Sequence, residues 1–360
     1  KAFKAKFPKA VWHRHEPVSR DAHYQGTKLA FGQTLETQYM LKDADVILSM
    51  DSDFLFSGPA ALSHAKAYAA RREVDSGHAK MNRLYALECS PSVTGSIADH
   101  RLALVPSELA AFAQELAVKV GVALEGSAHS THSKWVDAIA EDLKHHKGRC
   151  VVIAGDCQPA ELHALAHAMN SALGAIGHTV HYTQPVLSTA DEDSCEPLDT
   201  LVQAINADEV EALFVVDSNP VYSAPADLNF AAAYQKVAFR VHHGLHEDET
   251  AVLSHWHSPS THVLETWGDV RAFDGTVTIM QPLIEPLYSG KNACEFVDAL
   301  LGQGGIAPYD AVKATWEDEF GALGFATLFK TAIHDGLVAN SAFAPIEVSL
   351  KLDQQQVIET

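Results

Sequence analysis

Phe214-Val-Val-Asp217-Ser218-Asn219-Pro220 is followed by Lys236-Val-Ala-Phe-Arg-Val241, Glu247-Asp-Glu-Thr250 and Leu264-Glu265-Thr-Trp-Gly268. A buried strand ends in a polar turn, a second strand follows, and an acidic turn leads into an irregular Gly-rich loop. Polar residues gathered at the carboxyl ends of strands lay out a nucleotide-type pocket in an α/β sheet.

The same alternation extends in both directions. Upstream, Ala44–Met50 is a strand ending at Asp51-Ser-Asp53, and Pro59–Arg72 has Ala, Leu and Tyr at helical spacing behind Gly58. Val11–His15 and Arg83–Glu88 read as further strands, and Ser107 to Val120 as a helix stopped by Gly121. The small polar residues from Glu125 to Ser133 suggest a linker. Beyond them come a helix over Trp135–His145, a strand Cys150–Ala154, a turn Gly155–Pro159, a helix Ala160–Leu173 and a strand Thr179–Tyr182. Leu198–Asn206 and Leu228–Tyr234 read as helices, and Ala212–Val216 and Lys236–Val241 as strands. Strands alternating with helices predict a doubly wound, mostly parallel α/β architecture in two Rossmann-like units. The expected divisions are 1–125, 126–305 and 306–360, the last holding a helix near Tyr309–Phe320 and a strand Ile346–Leu352 at the start of a further region.

The chain has 360 residues, 47% of them hydrophobic, which suffices for a sizeable core. Its 26 Lys and Arg against 46 Asp and Glu give a formal charge of -20, which repels phosphate backbones and anionic lipid surfaces. No apolar run reaches the roughly 20 residues of a membrane-spanning helix. The start, Lys1–Pro8, has neither an initiator Met nor a signal-peptide core, so the chain reads as a piece of a longer protein with any targeting signal upstream.

Among candidate chemistries, three polar strand ends stand out: Asp51 and Asp53, Gly155 and Asp156, and Asp217, Ser218 and Asn219. Asp accepts hydrogen bonds from ribose hydroxyls or a guanine edge, Asn both donates and accepts, and Pro220 fixes the turn. The competing reading is a set of Asx-turns satisfying their own backbone. There is no G-x-G-x-x-G, P-loop or Gly-x-Ser-x-Gly, which disfavours an ordinary dehydrogenase, an NTPase and a serine hydrolase. Cys89, Cys150, Cys157, Cys195 and Cys294 form no Cys-x-x-Cys pair, so they read as buried free thiols and spell no cluster or zinc ribbon. Of the 21 histidines, the densest group is His242, His243, His246, His255, His257 and His262. With no carboxylate or Cys at a recognised ligand spacing, a polar loop with exposed imidazoles is favoured over a metal site.

Taken in order, these motifs resemble the molybdopterin oxidoreductase large-subunit family across about residues 9 to 302. The match runs through Ala44–Asp51, Asp217-Ser-Asn-Pro220, His242–Thr250 and Leu264–Gly268 to Gly275-Thr-Val-Thr-Ile-Met-Gln281-Pro282. Within the family the chain looks most like the large iron-sulfur, molybdopterin-like subunit of alternative complex III, a quinol-oxidising respiratory assembly. Leu55–Pro59, Met81–Tyr85, Pro91–Gly95, Ala98–Arg101 and Thr183–Val186 carry that closer match.

The resemblance implies a fold like the second and third domains of that family, serving as a scaffold without molybdenum or catalytic residues. Iron-sulfur clusters would lie elsewhere in the full-length protein, on the periplasmic side of the bacterial inner membrane among the other subunits of a membrane-bound complex. Gly58-Pro-Ala-Ala-Leu62 stands where active relatives carry an acidic Thr-Asp element, and a molybdenum ligand would precede Lys1. One alternative is an active bis-molybdopterin guanine dinucleotide oxidoreductase, with Asp51, Asp217 and Asn219 holding the guanosine ends. Another is a free-standing binding protein for a nucleotide-like ligand.

Overall fold

The computed structural model describes residues 2–14, 16–73, 80–124, 129–186, 195–321 and 323–352. In chain order the strands are β1 (Trp12–His13), β2 (Glu36–Tyr39), β3 (Val46–Met50), β4 (Arg83–Glu88), β5 (His100–Ala103), β6 (Cys150–Ala154), β7 (Val180–Thr183), β8 (Cys195–Glu196), β9 (Ala212–Val216), β10 (Phe239–Gly244), β11 (Trp256–Pro259), β12 (Gly268–Arg271) and β13 (Val277–Met280). The helices are α1 (Ala2–Lys6), α2 (Asp21–Phe31), α3 (Ala61–Ala70), α4 (Val93–Ser96), α5 (Pro106–Val120), α6 (Ser133–His145), α7 (Ala160–Ala172), α8 (Leu198–Asn206), α9 (Pro220–Ser223), α10 (Phe230–Tyr234), α11 (Glu249–Val252), α12 (Ala293–Leu300), α13 (Pro308–Phe320) and α14 (Phe325–Asp335).

Two compact units share these elements. An amino-side unit comprises Ser19–Leu187 and Phe343–Thr360, and a carboxyl-side unit comprises Lys1–Val18 and Ser188–Ala342. This division differs from the expected one at 125. β6 pairs in parallel with β3, residue Val46 opposite Cys150, so the segment after the proposed linker completes the sheet that precedes it. Residues 125–128 of that linker lie outside the described residues. The expected third region is also divided. α13 packs with β12 in the carboxyl-side unit, whereas Ile346 and Lys351 donate backbone hydrogen bonds to Tyr182 and Ala30 of the amino-side unit without forming a strand.

The amino-side sheet has the order β5-β4-β3-β6, all parallel. Its two central strands are apolar on both faces, as a sheet covered on both sides requires. Val46, Leu48 and Met50 of β3, with Cys150 and Val152 of β6, pack against α5, α6 and α7 through Phe112, Ile139 and Leu165. Ile47, Val151 and Ile153 face the other way, into a cluster with Phe31 of α2, Tyr68 of α3 and Tyr182 of β7. Gly26 allows α2 to approach α7 closely, because a Cβ there would fall 2.3 Å from the Cβ of His163. At the outer edge of β6, the Asn170 side chain accepts from Val152 N at 2.9 Å and donates to Val152 O at 2.8 Å, and Thr179 Oγ1 donates to Cys150 O.

In the carboxyl-side unit, β11-β10-β9 form a second parallel sheet. One core there joins α8 and α10 through Leu201, Ile205, Phe230 and Tyr234. Another joins the β12–β13 hairpin to α13 and α14 through Ile279, Trp316 and Phe329. β10 starts three residues later than the sequence suggests and continues through His242 and His243, because its pairing with β9 runs from Phe239–Ala212 to His243–Val216. α5 likewise begins at Pro106 rather than behind a Ser107 cap, using proline's fixed φ at the first helical position.

Burial separates the two leucine environments. Leu48→Ala removes a fully buried side chain from a sheet packed on both faces and is expected to lower unfolding free energy by about 3 kcal/mol, whereas Leu62→Ala, at 87% exposure, changes it by less than about 0.5 kcal/mol. Urea denaturation of the two variants followed by circular dichroism checks the contrast.

Candidate functional site

Each unit collects its polar candidates where parallel strands end. In the amino-side unit, the chain leaves β3 through Asp51, whose φ of 53° lies in the left-handed region. That turn points its carboxylate back across the sheet: Oδ1 accepts from Cys89 N and Oδ2 from the Gln158 amide, both at 2.9 Å. Asp53 Oδ1 accepts from both Thr94 N at 2.8 Å and Thr94 Oγ1 at 2.7 Å, and Leu55 N donates to the same hydroxyl oxygen. Gly155 follows β6 and is buried; a Cβ on it would lie 1.9 Å from the carbonyl oxygen of Asp51. The close approach that only glycine permits is thus filled by the protein's own backbone.

Asp156 is exposed at this edge, 3.5 Å from Arg20 Nε. The Arg20 guanidinium also spans both oxygens of Glu36 at 3.1 Å, and Tyr24 donates its hydroxyl to the same carboxylate at 2.9 Å. Burial pushes the Glu36 carboxyl up, but the hydrogen bond from His23 and the charge of Arg20 outweigh it, leaving the group below its ordinary range.

In the carboxyl-side unit, Asp217 plays the part of Asp51. It follows β9 with φ 47°, and its backbone N donates to His243 O at 2.8 Å. Its carboxylate is exposed and meets no hydrogen-bond donor among the described residues. The Asn219 amide is spent at both ends, donating to Glu249 at 2.7 Å and accepting from the Thr250 hydroxyl at 2.7 Å; Thr250 Oγ1 in turn accepts from Val221 N. Asp248 caps α11 by accepting from Ala251 N. A depression of about 450 Å³ is lined by Val221, Val252 and Leu253 beneath Glu247, Asp248 and Glu249.

The histidines around this edge depart from the expectation of an exposed loop. His246, His255 and His262 are exposed, but His242 and His243 are buried inside β10. His242 lies opposite His257 in the parallel register, with their Nδ1 atoms 3.0 Å apart. His242 Nε2 is 3.3 Å from Ser218 O, so the neutral ring donates there and accepts at Nδ1 from His257. Burial and the neighbouring His257 keep His242 below its ordinary pKa against the pull of Asp248. His243 stacks on Phe296 with ring centres 4.5 Å apart. Among the described residues, no group of three His, Cys, Asp or Glu side chains converges to hold a metal ion, and no helix is long and apolar enough to cross a membrane. Cys89, Cys150, Cys157 and Cys294 are free thiols, but of these only Cys150 is buried as expected, Cys157 and Cys294 being exposed on the turn after β6 and at the start of α12; the Cys195 side chain lies outside the described residues.

The sequence singled out every strand-end residue, and the structure places Asp51, Asp53, Gly155 and Asp156 at one sheet edge and Asp217, Ser218 and Asn219 at another. It did not single out the partners Arg20, Thr94 and Gln158, which are remote in sequence and carry no local pattern. Thr250 was within reach, since it sits in the quoted acidic turn.

No family model matches this chain. Over 158 residues it is 30% identical to the menaquinone reductase, molybdopterin-binding-like subunit of Nitratidesulfovibrio vulgaris. The fold of this chain, mixed α/β with parallel sheets, is consistent with a molybdopterin oxidoreductase-like fold. The match covers 40% of this chain and 22% of that relative, so the chain spans about a fifth of its length. Acetylene hydratase from Pelobacter acetylenicus superposes with a TM-score of 0.56 at 11% identity, over 80% of this chain and 51% of that one. A chain of the formyltransferase/hydrolase complex from Methylorubrum extorquens, solved with methylofuran, gives 0.56 at 14% identity, over 84% and 89%. At such identities the structures share the fold alone. The curated relative supports the family resemblance read in the motifs, not a specific subunit.

Two substitutions test the wiring of these edges. Gly155→Ala drives a methyl into the Asp51 carbonyl and is expected to cost about 3 kcal/mol. Thr250→Val strands Asn219 Oδ1 and Val221 N and is expected to cost about 1–2 kcal/mol. Chemical denaturation of each variant against the parent gives both numbers.

Proposed function

We propose that this chain is a molybdopterin-oxidoreductase-like α/β segment of a respiratory, quinone-linked oxidoreductase complex. In this reading it is an assembly scaffold beside iron-sulfur electron-carrying modules and holds no molybdopterin group itself. The curated relative supports the respiratory setting, being by name a menaquinone reductase subunit that is molybdopterin-binding-like.

The observation that carries the scaffold reading is the internal use of the strand-end groups. A pterin dinucleotide brings a pyrophosphate, which calls for free backbone N–H groups and cationic side chains. Here Asp51, Asp53 and Asn219 are bonded to their own chain, Gly155 is filled by the Asp51 carbonyl, and Glu247, Asp248 and Glu249 rim the depression. These residues do not fit such an anion. A second reading rests on Asp217, whose exposed carboxylate meets no donor among the described residues and suits the hydroxyls of a nucleotide-like ligand.

Elemental mass spectrometry of the purified full-length protein, with fluorescence of oxidised pterin, separates the possibilities. The scaffold reading expects iron without molybdenum, tungsten or pterin. Molybdenum or tungsten near one per chain together with pterin would overturn it.

A further inference from the structure

A second group of buried histidines lies inside the amino-side unit, between α2 and α7. His163 and His167 stand one turn apart on α7, and His23 of α2 packs edge-on against both, with ring centres 5.5 and 6.2 Å away. All three are nearly inaccessible. The His163 ring is directed at the carbonyls of Gly155 and Gln158, and His167 Nδ1 is 2.9 Å from the Tyr182 hydroxyl on β7. That leaves Nε2 of both His163 and His167 buried with no hydrogen-bond partner. His23 Nε2 is 3.2 Å from Glu36 Oε1 on β2.

Charge around the group is unbalanced. Glu36 is the carboxylate facing it, and Arg20, Tyr24 and His23 already share that carboxylate. Asp156, on the turn before α7, is exposed and paired with Arg20. Tyr182 is a buried phenol and Tyr39 a half-buried one, and burial raises both above their ordinary range. Among the described residues, a proton on His163 or His167 therefore finds no unspent anion, and a second would lie one helical turn from the first. There is no room to ease the strain in place, because Gly26 already brings α2 to within van der Waals limits of His163.

We propose that this histidine group is an acid-operated latch: uptake of two protons, by His163 and His167, releases α2 from α7 and with it withdraws Arg20 from Asp156 at the strand end. The latch works through proton linkage. Burial, with His23 and Arg20 adding to it, pushes His163 down to about 3, and burial with the same histidine neighbours holds His167 well below its ordinary value. Both folded-state values are depressed, so the closed form keeps its full advantage above the exposed-histidine pKa of about 6.5 and loses it as pH falls below that.

Two protons make the release steep. Hydrogen–deuterium exchange of α2 amides in the intact protein, corrected for the intrinsic pH dependence of exchange, should show the opening constant rising about 100-fold per pH unit between pH 6 and 4.5. In His167→Gln the rise should fall to about 10-fold per unit, while α5, whose buried side chains belong to a different core cluster from those of α2, stays at or below that slope. A wild-type α2 slope of one proton or less overturns the latch. Equal slopes in α2 and α5 overturn it too, since the protons would then open the whole unit rather than one helix.

Discussion

The carbonyl of Asp51 resting against Gly155 is the contact on which the amino-side edge depends. β3 and β6 lie side by side and in parallel, so both chains must leave the sheet at the same level. No side chain fits between them at that level, and one strand must end in glycine. Once Gly155 yields the space, Asp51 can take its left-handed turn and send its carboxylate across to Cys89 and Gln158. Those bonds fix where β4 ends and where the approach to α7 begins.

The carboxyl-side sheet solves the same problem with the same residue type. An aspartate in the left-handed region follows an apolar strand, β3 in one unit and β9 in the other, and its backbone N–H bonds the neighbouring strand, to Leu87 O and His243 O respectively. The surroundings differ. Beside Asp51 the donors are side-chain and backbone amides of the same fold, whereas beside Asp217 none is found among the described residues, and paired imidazoles of β10 and β11 lie close by. An anion arriving at either edge would meet carboxylates before it met a free N–H group, which is why the shared architecture need not carry a shared cofactor.

Much of this fold was legible because burial on both faces of a parallel strand leaves a continuous apolar run. Val46–Met50 and Cys150–Ala154 are such runs, and each of them, like the apolar but only partly buried run Ala212–Val216, is a strand within a residue or two of its expected bounds. Reading failed where pairing overrides polarity. His242 and His243 look like the start of a loop, yet β9 continues beside them and holds them in β10. It failed also for the division of the chain, since whether β6 joins the sheet before it or founds a new one depends on hydrogen bonds between residues far apart in sequence. The strand-end aspartates were visible as residues, but the donors they bond, Thr94 and Gln158 among them, were not.

At the outer edge of β6, Asn170 and Thr179 occupy the places a fifth strand would take. Their side chains claim Val152 N, Val152 O and Cys150 O, all of them deep within the protein. An apolar five-residue strand with an open ladder would be a template for another chain during synthesis or after partial unfolding. A single amide, matching the geometry of a peptide group, terminates the ladder instead, so this sheet carries its own guard against templated polymerisation.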